Sequence, residues 1–406
     1  MRTKDEWFLH IQQIHRQRIE LGLDRIGQVA ARLNVMTFKC PVITVAGTNG
    51  KGSCVKTLET IYALAGYRVG LYTSPHLIDF NERIRIDNSM IDDDALLEAF
   101  SVVEQARGTV IVSFFEFITL AALFLFQQAR CDVIILEVGL GGRLDAVNIV
   151  ESDVAILTSV ALDHMEFLGN DIVSIGYEKA SIARENKPFI CAEQDPPVSV
   201  EKTVTDKKAI LYHIYRDFFY DEKKYPKPSL KKENVAAAIQ AVQLLQSILP
   251  VSENTIAEGI VKTVWPGRFE IIDNTFSCVL DVAHNPHASA WLAEQYTQLP
   301  KAYTTGIVGM LKDKAQIETI QALLPIVDRW FVCDLSRLET ERGSDGRVMI
   351  DFLQSQRRDC RYFESVEAAM LEAHCQRQGE RALIFGSFYT IASAKKWISN
   401  DFAEGI

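Results

Sequence analysis

The chain has 406 residues, enough for two or three independent cores, and its 48% apolar and 24% charged residues match ordinary folded domains rather than an extended disordered chain. A formal charge of −10 excludes a globally attractive surface for nucleic acid or anionic membrane, so any phosphate site has to be local. The N-terminus is charged and carries no apolar signal segment, so no export is expected.

In chain order, Pro41 to Ala46 is a short apolar strand. Lys51 to Ala65 then sets Val55, Leu58, Ile61 and Ala65 at helical spacing, and Gly66 stops the helix. Further apolar strands are expected at Arg68–Thr73, Asp132–Val138, Val154–Ser159 and Lys187–Ala192, with helical stretches between them. The run Phe114 to Phe126 is too short for a bilayer span of about 20 residues and carries Glu116, which favours a buried helix. Val133, Ile134, Ile135 and Leu136 leave no polar face, as expected of an interior parallel strand covered on both sides. Helices near Ser229–Leu249 and Thr255–Val264 lead to the turn Trp265-Pro266-Gly267-Arg268, where a domain boundary is expected. A second strand and helix series follows, with strands at Cys278–Val282, Thr304–Val308, Trp330–Cys333 and Ala382–Phe385. The fold class is therefore α/β in two domains: residues 1–268 around a P-loop ATPase-type parallel sheet flanked by helices, and residues 269–406 as a smaller Rossmann-like unit. The eight cysteines, at 40, 54, 131, 191, 278, 333, 360 and 375, form no C-x-x-C pair or close Cys/His set, and read as reduced core residues of a cytoplasmic protein.

The strongest motif is Ala46-Gly47-Thr48-Asn49-Gly50-Lys51-Gly52-Ser53, between a strand and a helix. Small residues let the backbone N–H groups curl around phosphate oxygens, and the helix N-terminus and Lys51 supply positive charge. The motif departs from the strict G-x-x-x-x-G-K-[ST] pattern, since Val45 replaces the first glycine and Gly52 occupies the hydroxyl position. A tight glycine turn capping a helix is the plain alternative.

This T-N-G-K-G-S variant resembles the Mur ligase superfamily, and within it the folylpolyglutamate and dihydrofolate synthases. The resemblance extends through Thr73-Ser74-Pro75-His76-Leu77 with Phe80-Asn81-Glu82-Arg83-Ile84, Leu136-Glu137-Val138-Gly139-Leu140-Gly141-Gly142-Arg143-Leu144-Asp145-Ala146, and Ala161-Leu162-Asp163-His164. It continues through Glu178-Lys179-Ala180, the Trp-Pro-Gly-Arg turn, Asp281-Val282-Ala283-His284-Asn285-Pro286-His287 and Gly386-Ser387-Phe388-Tyr389-Thr390. It implies ATP-dependent ligation of L-glutamate onto dihydropteroate, and onto the γ-glutamyl tail of reduced folates, through an acyl phosphate. Tail extension alone is the close alternative. A Mur ligase acting on a UDP-linked sugar acid and a nucleotide-binding regulator without ligase activity are the others.

By the same resemblance, the ATP contacts are Thr48, Asn49, Gly50, Lys51, Gly52, Ser53, Asn234, Arg268 and Asp281, with ATP between domains. Magnesium, as two ions, falls to Ser74, Glu137 and His164, and K+ is a further candidate cation. Lys179 is expected to be carbamylated, although Ser181 replaces the glycine usual two residues later. The pterin falls to Phe114, Phe115, Glu116, Leu144, Asp145 and Ala146, with Glu20-Leu21-Gly22-Leu23 as a flap. His284 and Ser387 belong to the glutamate region. Lys51, Lys179, His164 and His284 are the expected catalytic set. The partners implied are small molecules only, with no nucleic acid or membrane, and the chain is expected to be a monomer.

Each assignment has a bland counterpart. His164 and Ser74 read equally as turn residues, Lys179 as a solvated helical lysine, Arg268 as a salt-bridge partner, Asp281 as a helix cap, and both phenylalanines as core. No residue identifies itself as the base that deprotonates the incoming ammonium.

Overall fold

The structure, a computed structural model, describes residues 2–15, 20–273, 276–338, 342–374 and 379–403; Cys375 lies outside the described residues. The chain divides after Val264 into two compact units. The Trp265-Pro266-Gly267-Arg268 turn groups with the second. Its backbone explains why: the Gly267 N–H donates to Glu270 at 2.8 Å and the Gly267 carbonyl accepts from Val282 at 2.9 Å.

In the first unit, eight strands are β1 Val42–Ala46, β2 Val69–Tyr72, β3 Ile84–Ile86, β4 Ser89–Met90, β5 Val133–Glu137, β6 Val154–Leu157, β7 Pro188–Cys191 and β8 Ile210–His213. Their order in the sheet is β4-β3-β2-β5-β1-β6-β7-β8. The six longer strands run parallel, while β3 and β4 are antiparallel, so the sheet is mixed rather than parallel throughout. Strands β1, β2, β5 and β6 are buried at every position, as two-sided helical cover requires.

The register decides what meets at the sheet edge. Val45 pairs with Glu137 and Ala46 with Leu157, so the segments after β1, β5 and β6 emerge side by side. Tyr72 pairs with Leu136, which adds Thr73 and Ser74 to the same edge. Ligands of open α/β sheets bind at the carboxyl ends of strands.

Helix Lys51–Leu64 is covered on more than the face that Val55, Leu58 and Ile61 mark, because Gly52 through Tyr62 are all buried. Its second face is covered by helices Lys232–Leu244 and Glu253–Lys262; a β-carbon on Gly259 would stand 2.6 Å from Ile61. Two charges are buried with it and paired. Lys56 and Arg85 meet Glu59 at 2.6 and 2.8 Å, and Lys56 donates to Asn88 at 2.7 Å, which ties the β3–β4 hairpin to this helix. Helix Phe114–Ala129 starts in a capping box, Ser113 with Glu116, and is not long enough to span a bilayer; no helix among the described residues is.

The second unit has β9 Glu270–Asp273, β10 Ser277–Asp281, β11 Tyr303–Val308, β12 Arg329–Cys333, β13 Asp359–Phe363 and β14 Glu380–Phe385, in the order β13-β12-β11-β14-β10-β9. Only β9 is antiparallel. Phe385 pairs with both Asp281 and Val308, so the loops after β10, β11 and β14 share one edge. The seven described cysteines are free thiols, five of them buried.

Candidate active site

The phosphate loop is held by its neighbours rather than by itself. The Thr48 N–H donates to the Ser159 carbonyl at 2.8 Å and the Asn49 N–H to Ser159 Oγ at 3.0 Å, while Thr158 Oγ1 donates to the Asn49 carbonyl at 2.7 Å. Thr48 Oγ1 and the backbone of Ala161 exchange two more bonds, at 3.2 and 3.0 Å. Thr158 and Ser159 are therefore site-building residues that the sequence reading did not single out. Hydroxyl residues immediately after a buried parallel strand were the available signal.

Glycine is required at two points of this loop. Gly47 has φ +152° and a β-carbon there would lie 1.9 Å from Thr158 Oγ1; Gly50 has φ +87° and would drive one into the Asn234 side chain at 2.3 Å. Gly52 and Ser53 are buried in the first turn of the helix that Lys51 opens. Asn234, 3% exposed, is thus packed against the loop from the first turn of helix Lys232–Leu244.

Two lysines converge on one atom. Lys51 Nζ donates to the Gly47 carbonyl at 2.8 Å and to that of Thr48 at 3.3 Å; Lys179 Nζ donates to the same Gly47 carbonyl at 3.2 Å. Lys179 is buried, not the solvated residue its composition suggests. Burial first, and then the neighbouring Lys51 ammonium, push its amine down to about 7.

Glu137, buried at the end of β5, accepts from Thr73 Oγ1 and, at 3.2 Å, from the Ser74 N–H, so the structure brings two members of the expected metal set together. His164 sits in a left-handed turn, φ +52°, capping the short helix Met165–Leu168, and its N–H donates to Asp163 at 2.9 Å. Its segment is tied to the phosphate loop through Ala161 and Thr48. No group of three or more His, Cys, Asp or Glu suited to a metal ion occurs among the described residues. One carboxylate and a serine hydroxyl suit a magnesium ion that draws its remaining oxygens from phosphate and water, and the donor set fits on that basis.

Of the pterin candidates, Leu144 and Asp145 lie in the Gly139–Asp145 loop and Phe115 packs on it, whereas Phe114 and Glu116 are held by other neighbours. Phe115 packs onto Gly139 and lies 5.8 Å from the Tyr72 ring; Phe114 joins Phe80 and Phe8 at 6.1 and 6.4 Å. Glu116 is buried, closing the capping box through the Ser113 N–H and pairing with Arg25 at 3.2 Å. Arg25 also pairs with Glu20, which links the Glu20–Leu23 stretch to this helix. Asp145 accepts backbone bonds from Leu140 at 2.8 Å and Val147 at 3.0 Å. Burial lifts its carboxyl to about 6 against these donors. It organises the loop in which Leu144 is half-buried and Ala146 buried.

In the second unit, Asp281 accepts from the Phe269 and Ala283 N–H groups, both at 2.8 Å, and burial raises its carboxyl above the ordinary range. Arg268 lies 4.9 Å over the Phe388 ring. His284 Nδ1 is 2.9 Å from the Val282 carbonyl, and Asn285 caps helix Pro286–Tyr296. Ser387 Oγ accepts from the Thr390 N–H at 3.0 Å, while Thr390 Oγ1 donates to the Gly309 carbonyl at 2.8 Å. The His284 and Ser387 loops thus stand at neighbouring strand ends, with Gly309 and Thr390 as further members of that edge.

Residues 45–225 match the Mur ligase middle domain and residues 267–388 the Mur ligase glutamate ligase domain. The chain is 40% identical to the dihydrofolate synthase/folylpolyglutamate synthase of Escherichia coli K12, over 95% of this chain and 93% of that one. Its structure is similar to that of E. coli FolC in complex with DHPP and ADP, with TM-score 0.92, 39% identity and 98% of each chain covered. It is also similar to the bifunctional folylpolyglutamate synthase/dihydrofolate synthase of Yersinia pestis complexed with AMPPNP and Mn ion, with TM-score 0.92, 38% identity and 98% of each chain covered.

Proposed function

The chain belongs to the Mur ligase family, among its dihydrofolate synthase/folylpolyglutamate synthases, and from that membership we infer how its own residues run the ligation. The protein is an ATP-dependent glutamate ligase with both activities of that group. The observation that carries the residue assignment is the convergence of Lys51 and Lys179 on the Gly47 carbonyl, which joins the phosphate loop to a buried, easily neutralised amine.

A carboxylate resists attack by an amine, so it must first become a better acyl donor. Transfer of the γ-phosphoryl group of ATP to the acceptor carboxylate gives an acyl phosphate and ADP; the glutamate amine then attacks the acyl carbon, and the tetrahedral adduct expels phosphate. Gly50, Gly52 and Ser53 are proposed to meet the phosphates through loop and helix N–H groups, Thr48 and Asn49, whose own N–H groups are held by Ser159, to shape the same loop beside the nucleotide, and Lys51 to offset charge on the transferred group. Ser74, Glu137 and His164 would hold magnesium, as one ion or two, with K+ a further candidate, and the metal would supply charge neutralisation at the phosphates. Asn234, Arg268 and Asp281 are proposed nucleotide contacts.

Phe114, Phe115 and Glu116, with Leu144, Asp145 and Ala146, form the proposed pterin face, and the Glu20–Leu23 stretch its flap. Asp145 serves there by holding the loop through its backbone bonds. His284 and Ser387 are proposed to position glutamate. The protein is proposed to act as a cytoplasmic monomer, with residues 1–268 as the ATP- and pterin-binding part and 269–406 as the glutamate-ligase part. Steady-state assays with dihydropteroate alone, and separately with tetrahydrofolate, test the two activities with ATP and labelled glutamate. Absence of dihydrofolate formation would leave tail extension alone.

Carbamylation of Lys179 is proposed at the same site. Carbon dioxide adds to a neutral amine, and a folded-state value near 7, below the ordinary value of 10.5, leaves the neutral form dominant above pH 7. Below pH 7 the neutral fraction falls about tenfold per unit. Activity is therefore expected to drop on that side and to be partly restored by bicarbonate, in a manner abolished by Lys179→Gln. A rate indifferent to bicarbonate at both pH 6.5 and pH 8 would count against the modification.

A further inference from the structure

The Gly139–Asp145 loop is laid against three neighbours through its glycines. A β-carbon on Gly139 would stand 2.5 Å from Cζ of Phe115, and one on Gly141 2.8 Å from Cδ2 of Leu168. Both would meet the ends of side chains. A β-carbon on Gly142 would instead stand 2.6 Å from the carbonyl oxygen of Glu178 and 3.0 Å from that of Lys179, and backbone atoms cannot rotate away. Close approach of two backbones is what this glycine permits.

The contact is reinforced on both sides. The Arg143 N–H donates to the Glu178 carbonyl at 2.9 Å, and its guanidinium reaches the Glu178 carboxylate through Nε and Nη2 at 3.0 and 2.9 Å. The same guanidinium lies 5.8 Å over the ring of Tyr177. The loop therefore grips the last turn of helix Ile172–Ala180 at the residue before Lys179, whose amine reaches the Gly47 carbonyl at 3.2 Å. On the other side of the loop stands Phe115.

We propose that Gly142 is a positioning residue for Lys179: by carrying no side chain it lets loop and helix backbones touch, and with the Arg143–Glu178 pair it sets how far the lysine reaches into the phosphate loop. The proposal rests on the reading of Lys179 as an active-site group and adds what holds it there. Misplacing an active-site group by about 1 Å typically costs about a hundredfold in rate.

In the full-length chain, Gly142→Ala is expected to lower kcat by about ten- to a hundredfold. KM for ATP should stay within about twofold and the thermal midpoint within a few degrees. Arg143→Gln and Glu178→Gln loosen the grip without filling the space, so a kcat loss of about fivefold is expected, partly recovered in Arg143→Lys. Retention of kcat within twofold in Gly142→Ala overturns the proposal, as does a rise in KM for ATP that matches the fall in kcat. If Gly142→Ala does not fold, the other two variants decide: unchanged kcat in both overturns the proposal, and a loss at constant KM supports it. Lys179→Gln, measured alongside, separates the layers. Full activity there removes the reading of Lys179 itself, whereas collapse there beside a normal Gly142→Ala enzyme removes only the positioning role.

Discussion

Lys51→Ala is expected to lower the rate of glutamate-dependent ADP release by about 10²- to 10³-fold, or about 3–4 kcal/mol of transition-state stabilisation. The lysine opens helix Lys51–Leu64, so its ammonium adds to the positive end of that helix and sits 2.8 Å from the Gly47 carbonyl of the phosphate loop. As the γ-phosphoryl group moves, charge shifts onto oxygens that only such fixed donors can meet without reorganisation. Alanine leaves the loop backbone in place, because the bonds from Ser159 and Thr158 persist. The loss should therefore fall on kcat more than on folding. A second effect follows from the shared carbonyl. The Lys51 ammonium is one cause of the low value at Lys179, so its removal should raise that value and shift the acid side of the pH profile upward. Turnover within fivefold of the parent enzyme would sink the assignment of Lys51 to phosphoryl transfer.

Glu137→Gln is the second large expected effect, about a hundredfold in kcat with a raised requirement for divalent metal. The substitution keeps shape and removes charge. Thr73 Oγ1 and the Ser74 N–H both donate to Oε2, so the amide oxygen can take that place and leave the NH₂ group where a metal ligand is needed. Titration of the rate against magnesium or manganese reads the effect directly. An unchanged metal dependence, whatever happens to kcat, would remove Glu137 from the metal set.

Much of the first unit was legible because its signals are local. Apolar runs at Val42–Ala46, Val133–Glu137 and Val154–Leu157 have no polar face, and a strand buried on both sides needs none. Edge elements were not legible. Strands β3 and β4 have three and two residues, and β9 and β13 mix exposed with partly buried positions, so neither length nor periodicity marks them. The helix after the phosphate loop was legible as a helix but not as one buried around its circumference. Its second cover comes from residues about 180 positions later.

The same division runs through the site. The glycine spacing around Lys51, the hydroxyl after β2 and the carboxylate closing β5 are determined by the amino-acid sequence itself, since each lies within a few residues of the strand end that presents it. Tertiary structure alone decided that Thr158 and Ser159 brace the phosphate loop and that Lys179 is buried beside a second ammonium. Those facts depend on which strand pairs with which and on how closely Gly142 lets one backbone approach another. Burial and proximity are properties of distant segments brought together, and they set the charge state of a lysine that its own neighbours in the chain leave undetermined.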